Sequence, residues 1–135
     1  MKTFFNGLVL AATLLLLNGC VGAAIVGGLA AGAAVGAGAI AYTKGELRVV
    51  EAISLDQAWT AAQKGLQALE LTAIDKGKDR LNAKLSARTS EGKEITLNLK
   101  NEGARLTEVR IRIGTFGDEQ LSRRILEAMR KHYRD

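Results

Sequence analysis

The stretch that decides the fold is residues 79–113, DRLNAKLSARTSEGKEITLNLKNEGARLTEVRIRI. Apolar and polar side chains alternate along three segments of this stretch, and a glycine-containing turn separates each segment from the next. Alternation with a period of two is typical of strands that have one buried face and one solvent-exposed face. Turns of this kind between such segments indicate hairpins. We therefore predict an antiparallel meander of three strands, at 79–89, 94–100 and 104–113.

The two faces of the predicted meander differ in polarity. The inward side chains are apolar, namely Leu81, Ala83, Leu85, Ala87, Ile95, Leu97, Leu99, Val109, Ile111 and Ile113. Five outward cations form a candidate basic interaction face, namely Arg80, Lys84, Arg88, Arg110 and Arg112. One interpretation is a solvated face whose cations pair across strands with Glu94 and Glu108. The other interpretation is a surface that contacts anionic lipid headgroups or an acidic partner.

Upstream of the meander, the pattern predicts a strand and then a helix. Residues 46–53 alternate as a strand does. Ser54 followed by Gln57 is typical of a capping box at the start of a helix. Apolar residues then recur at helical spacing over 55–69, with Trp59 among them as a core residue.

Two further elements complete the predicted domain. A short strand over 71–75, closed by a turn at 76–78, leads into the meander, and Asp118 is a candidate N-cap for a final helix. The element order is β-α-β-β-β-β-α. This order predicts an α+β fold, an antiparallel sheet with two helices on one face, with the last helix across a curved sheet as in helix-grip folds.

Charge is confined to one part of the chain. No Asp, Glu, Lys or Arg lies between Lys2 and Lys44, although the whole chain has 19 basic and 14 acidic residues. The mild basic excess is spread through 44–135 and lacks the aromatic side chains of a nucleic-acid surface, so we expect no nucleic-acid partner. One cysteine and one histidine exclude an internal disulfide and the multi-cysteine zinc patterns.

The N-terminus has the organisation of an export signal. Lys2 precedes an apolar segment that ends in Leu17-Asn18-Gly19-Cys20. This ending resembles the lipobox of bacterial lipoproteins. The resemblance implies cleavage after Gly19, acyl chains on Cys20 and an outer-membrane location facing the periplasm, because Val21 replaces the Asp of inner-membrane retention. Ordinary secretory cleavage and an uncleaved membrane anchor are the alternatives. We expect the signal peptide to cover 1–19.

An uncharged segment rich in glycine and alanine follows, at 20–43. Gly28, Gly32 and Gly36 recur every four residues, so on a helix they form one stripe at which another helix could approach, as in a glycine zipper. Such a stripe predicts self-association or an envelope protein partner. A low-complexity tether and burial against the domain at 44–135 are the alternatives, because glycine weakens helices.

From Gly45 onward the chain resembles a catalogued family of small bacterial lipoproteins, the domain of unknown function thirty-five sixty-eight. The residues that carry this resemblance are Gly45-Glu46-Leu47, Ser54-Leu55-Asp56, and RIGTFGDE at 112–119 with LSRRI at 121–125. The resemblance implies an α+β lipoprotein domain, and the family brings no known activity.

The motifs that could carry chemistry have structural interpretations. Residues 114–117 could bind an anion at a helix start, but Asp118 and Glu119 place negative charge there, so we predict a turn with Phe116 over the core. His132 is expected at a helix end, without a nucleophile. We expect no enzyme and no cofactor, and predict a structural or interaction lipoprotein. The alternative is a periplasmic carrier with an apolar cavity under the sheet.

Overall fold

The computed structural model describes residues 37–134, so Cys20 and the glycines at 28, 32 and 36 lie outside the described residues. The elements are six strands and two helices: β1 Ile40–Thr43, β2 Glu46–Glu51, α1 Leu55–Ala68, β3 Thr72–Lys78, β4 Asn82–Arg88, β5 Glu94–Gly103, β6 Leu106–Ile113 and α2 Glu119–Arg130. The predicted α+β class, with an antiparallel sheet and two helices, is confirmed.

All six strands form one antiparallel sheet in the order β1-β2-β6-β5-β4-β3. The strands β4, β5 and β6 form the predicted meander, and β3 extends it beside β4. The β1–β2 hairpin joins it through β2 and β6, where Leu47 lies opposite Ile111. This pairing places β2, the second strand of the chain, beside β6, the last one. In the sequence, α1 and three strands lie between them.

The edge strand β1 lies in the stretch that the sequence assigned to the glycine- and alanine-rich segment. Ile40 and Tyr42 lie opposite Val49 and Leu47 and pack against the core. The alternation is short and mixed with alanine, so it gives no clear strand pattern on its own. The sheet therefore begins before residue 44.

Helix α1 begins and ends close to the predicted bounds. The Ser54 hydroxyl accepts a hydrogen bond from the Gln57 backbone N–H at 3.2 Å, and the Gln57 side chain accepts one from the Ser54 N–H at 3.1 Å. This is the predicted capping box, which satisfies two backbone donors at the helix start. Helix α2 begins at Asp118, whose carboxylate accepts from the Leu121 N–H at 2.9 Å, again as predicted.

The core lies between the sheet and the two helices. The inward side chains of β2, β4, β5 and β6 join the apolar faces of α1 and α2 in one buried cluster. The helices approach closely at Gly65, where an added Cβ would lie 2.9 Å from the Met129 backbone nitrogen. Each large side chain in this cluster contributes about 1.5–3 kcal/mol by leaving water.

The β3–β4 turn differs from its prediction. Strand β3 continues through 76–78, and the turn is Asp79–Asn82. The Asp79 carboxylate accepts hydrogen bonds from the N–H groups of Leu81 and Asn82, at 2.7 and 2.8 Å, which lower the pKa of Asp79. Leu81, predicted to face inward, is therefore in the turn and 61% exposed.

The lysines of the expected turn explain why β3 continues. Lys76 and Lys78 lie opposite Leu85 and Ala83, on the helix side of the edge strand. Lys76 Nζ donates to the Gln63 side chain of α1 at 3.3 Å, and Lys78 pairs with Asp56 of the same helix. These contacts connect the edge strand to α1.

Candidate interaction face

The solvent side of the sheet, which we call the outer face, follows from the alternation of the strands. Every second residue of β2, β4, β5 and β6 points into the core, towards the two helices. The residues between them point outward and share the side of the sheet that faces away from the helices. Its members are Glu46, Arg48, Val50, Asn82, Lys84, Ser86, Arg88, Glu94, Thr96, Asn98, Lys100, Glu108, Arg110 and Arg112.

A polar row crosses the middle of the outer face. The strand registers place Arg48 opposite Arg110, Arg110 opposite Asn98, and Asn98 opposite Lys84. Neighbours in such a row are separated by about 5 Å, the distance between paired strands. The row ends at Gly77 of β3, where no side chain extends from the sheet.

Glu108 neutralises one end of this row. Its carboxylate lies 2.8 Å from Arg110 Nη2 and 3.8 Å from Arg48 Nε, and its side chain is only 12% exposed. The hydrogen bond with Glu108 raises the pKa of Arg110 above its usual value. Arg110 and Glu108 therefore form a local pair within β6, whereas the solvated interpretation of the face expects pairs across strands.

Arg112 has a structural role. Its guanidinium donates to the carbonyl oxygens of Lys44 and Thr115, at 3.1 and 2.8 Å. These carbonyls belong to the β1–β2 turn and to the loop before α2. Arg112 thus joins two turns that are distant in sequence.

The two turns also contact each other directly, through glycines with positive φ. Gly45 and Gly117 have φ values of 79° and 85°. A Cβ at Gly45 would lie 2.6 Å from the Phe116 carbonyl oxygen, and one at Gly117 would overlap Gly45 and the Tyr42 hydroxyl. We call this contact the glycine clamp. It supports the prediction that residues 114–117 form a structural turn.

Phe116 lies outside the core, which corrects the prediction that it covers the core. Its side chain is 93% exposed. The Phe116 carbonyl group faces Gly45 in the glycine clamp, and the Phe116 side chain extends into solvent. Trp59 packs against the core as predicted, and His132 is half-buried just after α2.

The cations of the outer face that have no ion pair or hydrogen bond within the described residues lie on β4. Within residues 37–134, neither Lys84 nor Arg88 has an ion pair, although Glu94 is opposite Arg88 in the register. A surface depression of about 540 Å³ lies next to Lys84 and is also lined by Asn98, Lys100 and Arg110, and by the carboxylates of Asp75 and Asp79. Because Lys100 and Arg110 are ion-paired, Lys84 and the Asn98 amide are the groups that it offers to an acidic ligand.

The fifth predicted cation does not belong to this face. Arg80 lies in the exposed Asp79–Asn82 turn, at the end of the sheet, because the turn comes three residues later than predicted. Arg48 and Asn98 complete the row instead. Their outward parity is readable from the sequence, but their place beside Arg110 and Lys84 depends on strand pairing.

A second polar cluster is buried where α2 ends. Arg130 Nε and Nη2 lie 2.8 and 2.7 Å from the Glu51 carboxylate, whose side chain is 9% exposed. Burial raises the pKa of the nearby Tyr133 hydroxyl, whose ring packs against the core. The sequence missed this cluster, because the contact between residues 51 and 130 exists only once α2 packs on β2.

Residues 37–134 contain no group of three His, Cys, Asp or Glu side chains that could hold a metal ion. No helix within that range has both the length and the apolar character required to cross a bilayer.

Comparison with known proteins gives one family. No curated protein matches the chain. Residues 4–132, nearly the whole sequence, match the family described as "Protein of unknown function (DUF3568)". The chain belongs to this family, whose function has not been assigned.

Proposed function

We propose that this protein is a lipid-anchored, non-enzymatic binding module of the bacterial envelope, which uses the outer face to hold an acidic partner. Acyl chains on Cys20 would retain it at the outer membrane, on the periplasmic side. The sequence LNGC at 17–20 supports the anchor. The uncovered outer face supports the binding role.

The observation that carries the binding role is the unpaired charge of β4. Lys84 and Arg88 are exposed, four residues apart on the same side of one strand, and lack ion pairs within the described residues. An exposed pair contributes only about 0.2–1 kcal/mol, so an acidic partner needs several such contacts. The Asn98 amide and the depression beside Lys84 offer further contacts.

An interaction role accounts for the polar groups of the described domain better than catalysis does. The outer row is spread along a sheet surface and does not converge on one point, as an acid–base pair requires. Arg110 and Asp79 have altered pKa values because of neighbours that also stabilise the fold. The matched family supplies no activity to transfer.

The outer face can be tested by photocrosslinking in intact cells. A photoreactive amino acid at Ser86, between Lys84 and Arg88, is expected to capture a partner, whereas the same group at Arg124 on α2 captures none. Lys84→Glu with Arg88→Glu is expected to reduce the captured fraction at least fivefold, and more strongly at low salt, since exposed charges are screened within about 10 Å.

A matched control separates charge from position. Arg124→Glu with Lys93→Glu makes the same change of charge away from β4 and is expected to leave the crosslink unchanged. Equal loss of the crosslink in both double variants would contradict a role of the outer face.

The anchor is tested by Cys20→Ala. We expect this variant to be exported but to incorporate no radiolabelled fatty acid, whereas the natural chain incorporates it and floats with outer-membrane vesicles. Label retained by the variant would contradict acylation at residue 20. Membrane association that persists without label would assign part of the anchoring to the apolar segment at 20–43.

Two other roles stay predictions without a supporting observation. Self-association through Gly28, Gly32 and Gly36 concerns residues outside the described range. For an apolar carrier, the cavity would lie under the sheet, where Ala83 and Ala87 are buried in the same cluster as the side chains of α1. We therefore favour the interaction module.

A further inference from the structure

One end of the domain brings together segments that are far apart in sequence, and we call it the anchor end. The N-terminal chain enters the sheet there, because the Gly38 N–H donates to the Val50 carbonyl oxygen. The antiparallel order places three more features at this end, namely the β3–β4 turn, the β5–β6 turn and the end of α2. The glycine clamp lies at the opposite end.

Two leucines of the anchor end are exposed. Leu81 in the β3–β4 turn is 61% exposed, and Leu106 at the start of β6 is 39% exposed. Only β5 separates β4 from β6, so the two backbones are about 10 Å apart. Such side chains next to each other at a domain end favour contact with an apolar or interfacial environment.

The same end has unpaired cations. Arg80, Arg105 and Lys131 are exposed and have no ion pair within residues 37–134. They come from the two turns and from the residue that follows α2. Cations beside exposed leucines are typical of surfaces that contact anionic lipid headgroups.

Most acidic groups of the anchor end are already occupied, and Glu127, in the last turn of α2, is the exposed one without an ion pair within residues 37–134. Glu51 pairs with Arg130, Asp56 pairs with Lys78, and Glu102 pairs with Lys100. Asp79 accepts two backbone N–H groups within its own turn. The charge left for an external partner at this end is therefore positive.

The opposite end has unpaired cations as well. Lys44, Arg88 and Arg124 are exposed and have no ion pair within residues 37–134. Its exposed acids are Glu70 and Glu94, which have no ion pair within the same range, and Glu91 and Glu119, which pair with Lys93 and Arg123. Charge alone therefore does not distinguish the two ends, and the entry of the N-terminal chain at Gly38 favours the anchor end as the lipid-facing one.

We propose that the anchor end docks on the anionic lipid headgroups of the membrane that holds the acylated cysteine, an inference that rests on the lipid anchoring proposed above. Cys20 precedes Gly38 by only 18 residues, which span at most about 60 Å when fully extended. This limit on the distance from Cys20 keeps the domain at a high local concentration near the bilayer, so weak contacts suffice. Docking turns Phe116 away from the membrane and leaves the outer face open to a partner.

The test uses the full chain, produced in its acylated form and reconstituted into vesicles with one quarter phosphatidylglycerol. An environment-sensitive fluorophore is attached at Ala104→Cys in the β5–β6 turn or at Thr115→Cys beside the glycine clamp, both exposed positions. Brominated lipids are expected to quench the probe at 104 at least threefold more than the probe at 115. Arg80→Gln with Arg105→Gln, or neutral vesicles, should remove most of this difference.

Charge-matched control variants, together with the reactivity of Cys20 towards the fluorophore, distinguish failure of the docking from failure of the anchor. Lys93→Gln with Arg124→Gln should leave the quenching at 104 unchanged. Equal quenching at 104 and 115 in a chain whose Cys20 does not react with the fluorophore overturns the docking and leaves the anchor intact. A natural chain that is labelled at Cys20 and does not float with vesicles overturns the anchor and the docking together.

Discussion

The inner and outer faces of this sheet are built from the same strands but depend on different interactions. In β5, Leu97 is fully buried, whereas the next residue, Asn98, lies in the polar row of the outer face. The inner face is stabilised by removal of apolar surface from water, and the outer face has local pairs such as Glu108 with Arg110. The difference teaches that stability and binding can be changed separately in this domain, one residue apart.

The largest expected effect breaks the inner face. Leu97→Ala should lower the free energy of unfolding by about 2–5 kcal/mol, because it removes buried methylene groups and leaves a cavity. Asn98→Ala, one residue further on, should change it by less than about 0.5 kcal/mol. Urea unfolding followed by the fluorescence of Trp59, the only tryptophan, measures both. Similar losses in the two variants would contradict the division between the faces.

The second largest effect is expected at the glycine clamp, which lies at one end of the sheet. Gly117→Ala should cost about 2–4 kcal/mol, because positive φ is unfavourable for alanine and the new Cβ overlaps Gly45. Gly92→Ala is the matched control, since Gly92 has a φ of 82° but open space around its Cβ, and should cost about 1 kcal/mol. If both variants lose equal stability in urea, the glycine clamp contributes nothing beyond its φ angles.

The smallest expected effect concerns pH and the cluster at Glu51. Burial raises the pKa of Tyr133 above that of an unfolded tyrosine, about 10, so the folded state favours the neutral hydroxyl. This contribution is complete below pH 10 and is lost as the pH rises towards the folded pKa. At pH 11 the loss should be about 1 kcal/mol, and Tyr133→Phe should remove it. Urea unfolding between pH 9 and 11 tests this, and equal slopes in both chains would contradict it.

The local elements follow the sequence closely. The parity of Leu85, Ile95 and Ile111 is as predicted, and so is the capping box at Ser54. These features depend on neighbours within a few residues, which the sequence contains directly. The β3–β4 turn was predicted wrongly because Lys76-Gly77-Lys78 has the composition of a turn, whereas contacts with α1 hold its lysines in the strand.

The candidate site was predicted in part, since four of its five cations lie on the outer face and Arg80 does not. Strand parity alone identifies Lys84 and Arg88 as outward. Parity also places Glu108 beside Arg110, two residues away on β6, but it does not reveal that Arg112 binds the carbonyl groups of Lys44 and Thr115, because those contacts need the adjacent turns. Which charges remain available is therefore a tertiary property.

The sequence by itself determined the class of the domain, its two helices, its meander and the polarity of each face, because hydrophobic periodicity and helix caps are local. It also supplied the residues that predict an anchor at Cys20. Only the tertiary structure decided that β1 belongs to the sheet, that Glu51 meets Arg130, and that Leu81 and Leu106 share one end. Those contacts join residues distant along the chain, and their geometry is fixed by strand order and helix packing.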